Sequence, residues 1–104
     1  MTKKEFEELA LLFPWTASGP HFDRTGYRIT GKRMFATYLE KDHSANIFLT
    51  HAEQRLFCES AEGIFPVPNK WGEKGATIFW LDVVPEEIVR EALRSAYDSI
   101  FNKV

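Results

Sequence analysis

Two stretches of the chain combine cations and aromatics in a way that could do chemistry. The first is His21-Phe-Asp-Arg-Thr-Gly-Tyr-Arg-Ile-Thr-Gly-Lys-Arg33. Its Arg24, Arg28, Lys32 and Arg33 are spaced to reach phosphates, and Tyr27 to stack on a base. The plainer reading is a solvated strand edge whose charges deter aggregation. The second is Pro66-Val-Pro-Asn-Lys-Trp-Gly-Glu-Lys-Gly75, where Trp71 stands between Lys70 and Lys74. It reads either as a recognition tip or as a lid with Trp71 folded over the core. The cost of leaving an indole in water favours the lid.

Catalytic and metal chemistry find no support in the residues. The chain has no P-loop, dinucleotide fingerprint or nucleophile elbow. His21, His43 and His51 are scattered over predicted turns and strand ends, whereas a zinc site needs three or four converging ligands. Cys58, the one cysteine, neighbours Phe57 on the apolar side of a predicted helix and reads as a small buried hydrophobe. Glu86, Glu87 and Glu91 suit a solvated helix face and its dipole better than acid–base work, as do Glu5, Glu7 and Glu8. The expectation is a protein that is not an enzyme, with no cofactor and no metal. A small-ligand pocket between Trp71, His21 and the first hairpin is a minor alternative.

A chain of 104 residues with nine Phe, three Trp and three Tyr can build one core, so one domain over residues 1–104 is expected. A single cysteine allows no internal disulfide, and no leader or apolar span is legible, which predicts a cytoplasmic protein without a membrane partner. The net charge of −2 gives no global pull toward nucleic acid. Its distribution is uneven. Residues 21–41 hold five cations against Asp23 and Glu40, while residues 51–63 hold Arg55 against Glu53, Glu59 and Glu62.

The elements that must position these residues follow from pattern. Thr2 with Glu5 forms a capping box, and Phe6, Leu9, Ala10 and Phe13 make one helical stripe over residues 3–13. Pro14 and Ser18-Gly19-Pro20 end it. Strands are expected over 21–29, 33–40 and 45–50, with Thr30-Gly31-Lys32 as a tight hairpin connection. Thr50 and Glu53 cap a helix over 51–60, whose stripe is Ala52, Leu56 and Phe57. Residues 65–68 are extended because each proline disfavours helix before it. Residues 69–75 form a loop, and 76–83 a strand. Pro85, Glu86 and Glu87 open a last helix with a wide apolar face. The order α-β-β-β-α-β-β-α predicts a two-layer α+β domain with an antiparallel sheet and one sheet face free of helices.

Pro20-His-Phe-Asp-Arg24 and Tyr27-Arg-Ile-Thr-Gly-Lys-Arg-Met-Phe-Ala-Thr37 resemble the signature of the MmcQ/YjbR-like proteins. Phe65-Pro-Val-Pro-Asn-Lys-Trp-Gly72, with Gly75 and Thr77, is similar to that family's second block, and Pro85–Phe101 to its closing helix. The pattern departs at Ala76, where relatives often carry Trp, and at Tyr27, where Phe is more usual. The resemblance implies an α-β(3)-α-β(2)-α domain of the secretion-chaperone-like type. It also implies DNA binding through a double wing of hairpins, with no established enzymatic activity. Carried onto this chain, the wings are the hairpin around Gly31-Lys32 and the loop around Lys70-Trp71-Gly72. Arg24, Arg28, Lys32, Arg33, Lys70 and Lys74 are the matching cations. The leading expectation is therefore a nucleic-acid-binding module with DNA as partner. The alternative is a non-catalytic protein-interaction or chaperone-like module, homodimeric or docking a protein on Phe48, Phe79 or Trp80.

Overall fold

The computed structural model describes residues 1–102. In chain order the elements are α1 (Lys3–Leu11), β1 (Thr16–His21), β2 (Arg24–Ile29), β3 (Met34–Leu39), β4 (Ser44–Phe48), α2 (His51–Ser60), β5 (Ile64–Pro66), α3 (Lys70–Glu73), β6 (Ala76–Trp80) and α4 (Glu86–Phe101). The six strands form one antiparallel sheet in the order β1-β2-β3-β4-β6-β5. The chain is thus an α+β domain, as its pattern predicts.

Local signals set the helix starts. Thr2 Oγ1 accepts from the Glu5 amide at 3.1 Å, and the Glu5 carboxylate accepts from the Thr2 amide at 2.8 Å. These bonds, the backbone one first, hold the Glu5 carboxyl below its ordinary value. Thr50 and Glu53 repeat the arrangement on α2. In α4 most of the expected apolar face points inward: Val89, Ala92, Leu93, Ala96, Tyr97 and Ile100 are buried, Ile88 is half-buried and Phe101 at the helix end is exposed.

Helices α1, α2 and α4 cover one face of the sheet. Phe6 of α1 meets Tyr27 and Tyr38, Phe57 of α2 meets Phe79, and Tyr97 of α4 meets Phe35 and stacks on Phe13 at 4.6 Å. Side chains alternate across a strand, so the cross-strand row Tyr27, Ala36 and Ile47 faces these helices. The row Gly26, Thr37, Asn46, Ile78 and Phe65 faces away from them. A register shift between Tyr27 and Arg28 lets Phe35 also turn inward.

Three expectations change. Four strands, not three, precede α2, because Ser18-Gly19-Pro20 lies inside β1 instead of ending a helix. Proline is tolerated there since β1 is an edge strand and needs no second ladder. The reversal falls at Phe22-Asp23, with Phe22 at a left-handed φ of 57°. The expected loop 69–75 contains the short helix α3. On α2 only Phe57 is buried, while Ala52 and Leu56 are exposed, so its stripe is one residue wide.

Candidate nucleic-acid interface

The strand directions decide which connections share an end of the molecule. Strand β2 runs into the Thr30–Arg33 turn and β3 runs back from it. Strand β4 runs toward the same end, since Ala36 pairs with Ile47 and Leu39 with Ser44. Strand β6 starts there, with Ala76 opposite Phe48, and β5 finishes there, with Pro66 opposite Thr77. Thus Lys32 and Arg33 at the first hairpin tip and Lys70, Trp71 and Lys74 around α3 occupy one end of the sheet. Two strand spacings, roughly 10 Å, separate β3 from β6.

The second tip is held rigidly. Asn69 Oδ1 accepts from the Trp71 amide at 2.8 Å. Gln54 Nε2 of α2 donates to the carbonyls of Gly72 at 2.9 Å and Ala76 at 3.1 Å, and the His51 imidazole contacts the Glu73 carbonyl. Gly72 is required because a Cβ there would lie 1.7 Å from the Val67 carbonyl oxygen. At Gly75, φ is 112° and a Cβ would meet the Leu49 carbonyl oxygen at 1.8 Å.

Trp71 does not fold over the core. Its side chain is 65 % exposed, with Lys74 Nζ 5.5 Å from the ring centroid. Backbone anchoring by Asn69, Gln54 and Gly72 fixes α3 outward, and the cation over the ring replaces the apolar contact a lid would make. Trp15 joins it at this end, 71 % exposed, its carbonyl accepting from the Thr30 amide. Sequence reasoning passed over Trp15; its only local signal is the preceding Pro14, which stops α1 short of it.

Tyr27 is not a base-stacking residue. It lies fully buried on the helix side of the sheet, edge-on to Phe6, and donates to Glu7 Oε2 at 2.7 Å. Burial first, and then the bond to Glu7, push its hydroxyl far above the ordinary tyrosine range. The parity of β2 that sends Tyr27 inward sends Arg24 and Arg28 to the opposite face. Arg28 is exposed near the cationic end. Arg24 lies toward the other end, where its Nη1 donates to Thr37 Oγ1 at 3.2 Å. Phe79 likewise faces the core, leaving Phe48 and Trp80 on the helix-free face.

Charge is segregated along the strand axis. Connections at the Lys32 end carry Lys32, Arg33, Lys70 and Lys74 against Glu73 alone. Connections at the other end carry Asp23, Glu40, Asp42, Glu62 and Asp82 against Lys41. Helices α1, α2 and α4 hold nine carboxylates (Glu5, Glu7, Glu8, Glu53, Glu59, Glu86, Glu87, Glu91, Asp98) and five cations (Lys3, Lys4, Arg55, Arg90, Arg94). The six strands contain no carboxylate at all. Among the described residues the ion pairs are Lys3–Glu40, His43–Asp82 and Arg90–Glu86, none of which uses a candidate cation.

The remaining sequence candidates are not brought together among the described residues. His21 and Trp71 stand at opposite ends of the sheet, which removes the pocket drawn between them. A groove of about 410 Å³ lies instead between α1 and α4, lined by Leu9, Leu12, Phe13, Leu93 and Tyr97 with Arg90, Arg94 and Asp98. Burial pushes the Cys58 thiol up, away from thiolate reactivity. Among the described residues no three His, Cys, Asp or Glu converge as metal ligands, and no helix is long and apolar enough to cross a membrane. No family model, curated protein or solved structure matches this chain.

Proposed function

We propose that the protein binds nucleic acid through the cationic end of its sheet. The observation that carries this reading is the charge polarity along the strands. A chain of net charge −2 puts four Lys and Arg on two neighbouring tips at one end and most of its loop carboxylates at the other. Phosphate contacts need cations whose charge is not already neutralised, and these four make no ion pair among the described residues. Exposed Trp15 and Trp71 at the same end add flat surfaces for nucleobases. The carboxylates of α1, α2 and α4 disfavour approach of a polyanion to the helix-covered face. The similarity of the two tip sequences to the MmcQ/YjbR-like signature supports the same reading.

The test is a fluorescence anisotropy titration of labelled duplex and single-stranded DNA at low salt. Binding in the micromolar range is expected, and a Lys32→Glu/Lys70→Glu double variant should weaken it at least tenfold, roughly the loss expected when two phosphate contacts become repulsions. Absence of binding to either form at tens of micromolar protein overturns the reading.

A further inference from the structure

The sheet face opposite the helices is an unused surface whose composition is unlike the rest of the molecule. It lacks carboxylates and carries Arg24 and Arg28 on β2. Phe48 on β4 and Trp80 on β6 are half-buried there, and Phe65 on the edge strand β5 is 53 % exposed. Phe65 pairs with Ile78, so Trp80 is its diagonal neighbour, with Cβ atoms about 7 Å apart. One base spans two rings at that spacing. Asn46 sits in the same face between Thr37 and Ile78. Its Oδ1 is the one buried side-chain polar atom without a partner among the described residues. That oxygen is buried beneath the surface, so a base laid on the neighbouring rings would cover Asn46 without bonding to it.

We propose that this face binds single-stranded DNA, with bases on Phe48, Phe65 and Trp80 and phosphates on Arg24 and Arg28. The proposal rests on the nucleic-acid reading of the cationic end and names the substrate class. The occupant follows from charge and shape. Two guanidiniums without a carboxylate among them complement a polyanion, not a neutral or cationic peptide. A duplex keeps its base faces stacked on one another, so only an unpaired strand can lay them on aromatic rings across a sheet. Edge-to-edge pairing of two copies is obstructed, because Pro20 interrupts β1 and Pro66 interrupts β5. Arg28 adjoins the Lys32 tip, so the strand runs from the cationic end onto the face.

The experiment titrates the full chain with labelled oligothymidylate, oligouridylate and a hairpin duplex, and repeats it with Phe65→Ala, a change at an exposed edge position. Binding of oligothymidylate should exceed that of the duplex and fall about tenfold in Phe65→Ala, one base–aromatic stack lost, while the weaker duplex binding stays unchanged. Amide chemical shifts in the wild-type chain give a readout independent of any variant's folding. Oligothymidylate should move Asn46, Phe48, Phe65, Ile78 and Trp80. Shifts confined to residues 30–33 and 69–75, duplex binding equal to single-strand binding, or preference for oligouridylate would overturn the proposal and leave the cationic-end reading intact. Loss of all nucleic-acid binding overturns both. Face shifts that grow with protein concentration alone assign the face to a second copy and also overturn it.

Discussion

Tyr27 illustrates how one hydroxyl can be a structural commitment. Its ring is fully buried against Phe6, and its oxygen reaches out of the core to Glu7 on α1. Removing the hydroxyl in Tyr27→Phe leaves the packing and deletes a bond to a carboxylate. Because Glu7 is half-exposed and can turn to water, the expected cost is about 1 kcal/mol, which lowers the melting temperature by roughly 5 °C. Nucleic-acid binding should be unaffected, since Tyr27 faces away from both proposed surfaces. Tyr38 and Tyr97 share its environment: Tyr38 bonds to His43 Nδ1 at 2.6 Å, and Tyr97 donates to the Pro14 carbonyl at 2.7 Å. Burial is the leading cause that raises all three hydroxyls. Their folded-state pKa values exceed the unfolded value of about 10, so the neutral form favours the fold. This contribution is fully present below pH 10 and is lost as the pH rises beyond it. Denaturant midpoints should therefore fall steeply above about pH 10, with tyrosinate absorbance appearing together with unfolding instead of before it.

Among the elements, α3 is the one whose placement the candidate site most depends on. Four residues do not make a stable helix by propensity, so its position is set by outside bonds from Gln54 and by the close approach of Gly72 to Val67. Gly72→Ala would place a methyl inside the Val67 carbonyl, where backbone and not a flexible side chain must give way. A loss of about 2–4 kcal/mol is expected, with weakened DNA binding in whatever remains folded, measured by urea unfolding and anisotropy on the same samples. The β1–β2 turn is a contrasting case. Phe22 is 94 % exposed and sits at a left-handed φ of 57°, so an aromatic occupies a position suited to Asn or Gly. Phe22→Asn should raise stability by about 1 kcal/mol, seen as a higher urea midpoint at unchanged slope.

For the molecule as a whole, the governing feature is an electrical polarity that a net charge of −2 conceals. On the proposed reading, the four tip cations and Arg28 set the number of phosphates that a bound duplex would neutralise. Four to five contacts give a log–log salt dependence with a slope of about −3.5 to −4.5. The value is shallower than the −5 or so that six cations would give, because Arg24 lies at the far end of the sheet. A plot of the apparent association constant against salt should fall in that interval, and Lys32→Glu/Lys70→Glu should flatten it by about two.

The sequence by itself determined what is local. Thr2-x-x-Glu5 and Thr50-x-x-Glu53 fix two helix starts, because each box closes within four residues and needs no distant partner. The wide apolar face of α4 and the α+β class were equally legible, since periodicity is carried by near neighbours. The candidate cations were legible as types, but their geography was not. Whether Tyr27 or Arg28 faces the helices depends on strand register, and a slip of one residue exchanges every inward and outward position. Ser18-Gly19-Pro20 looks like a turn in isolation and becomes strand only because β2 offers it a ladder at an edge. Only tertiary structure put Lys32 and Arg33 at the same end of the sheet as Lys70 and Lys74. That placement is created by the directions of four strands and by β4, paired between β3 and β6.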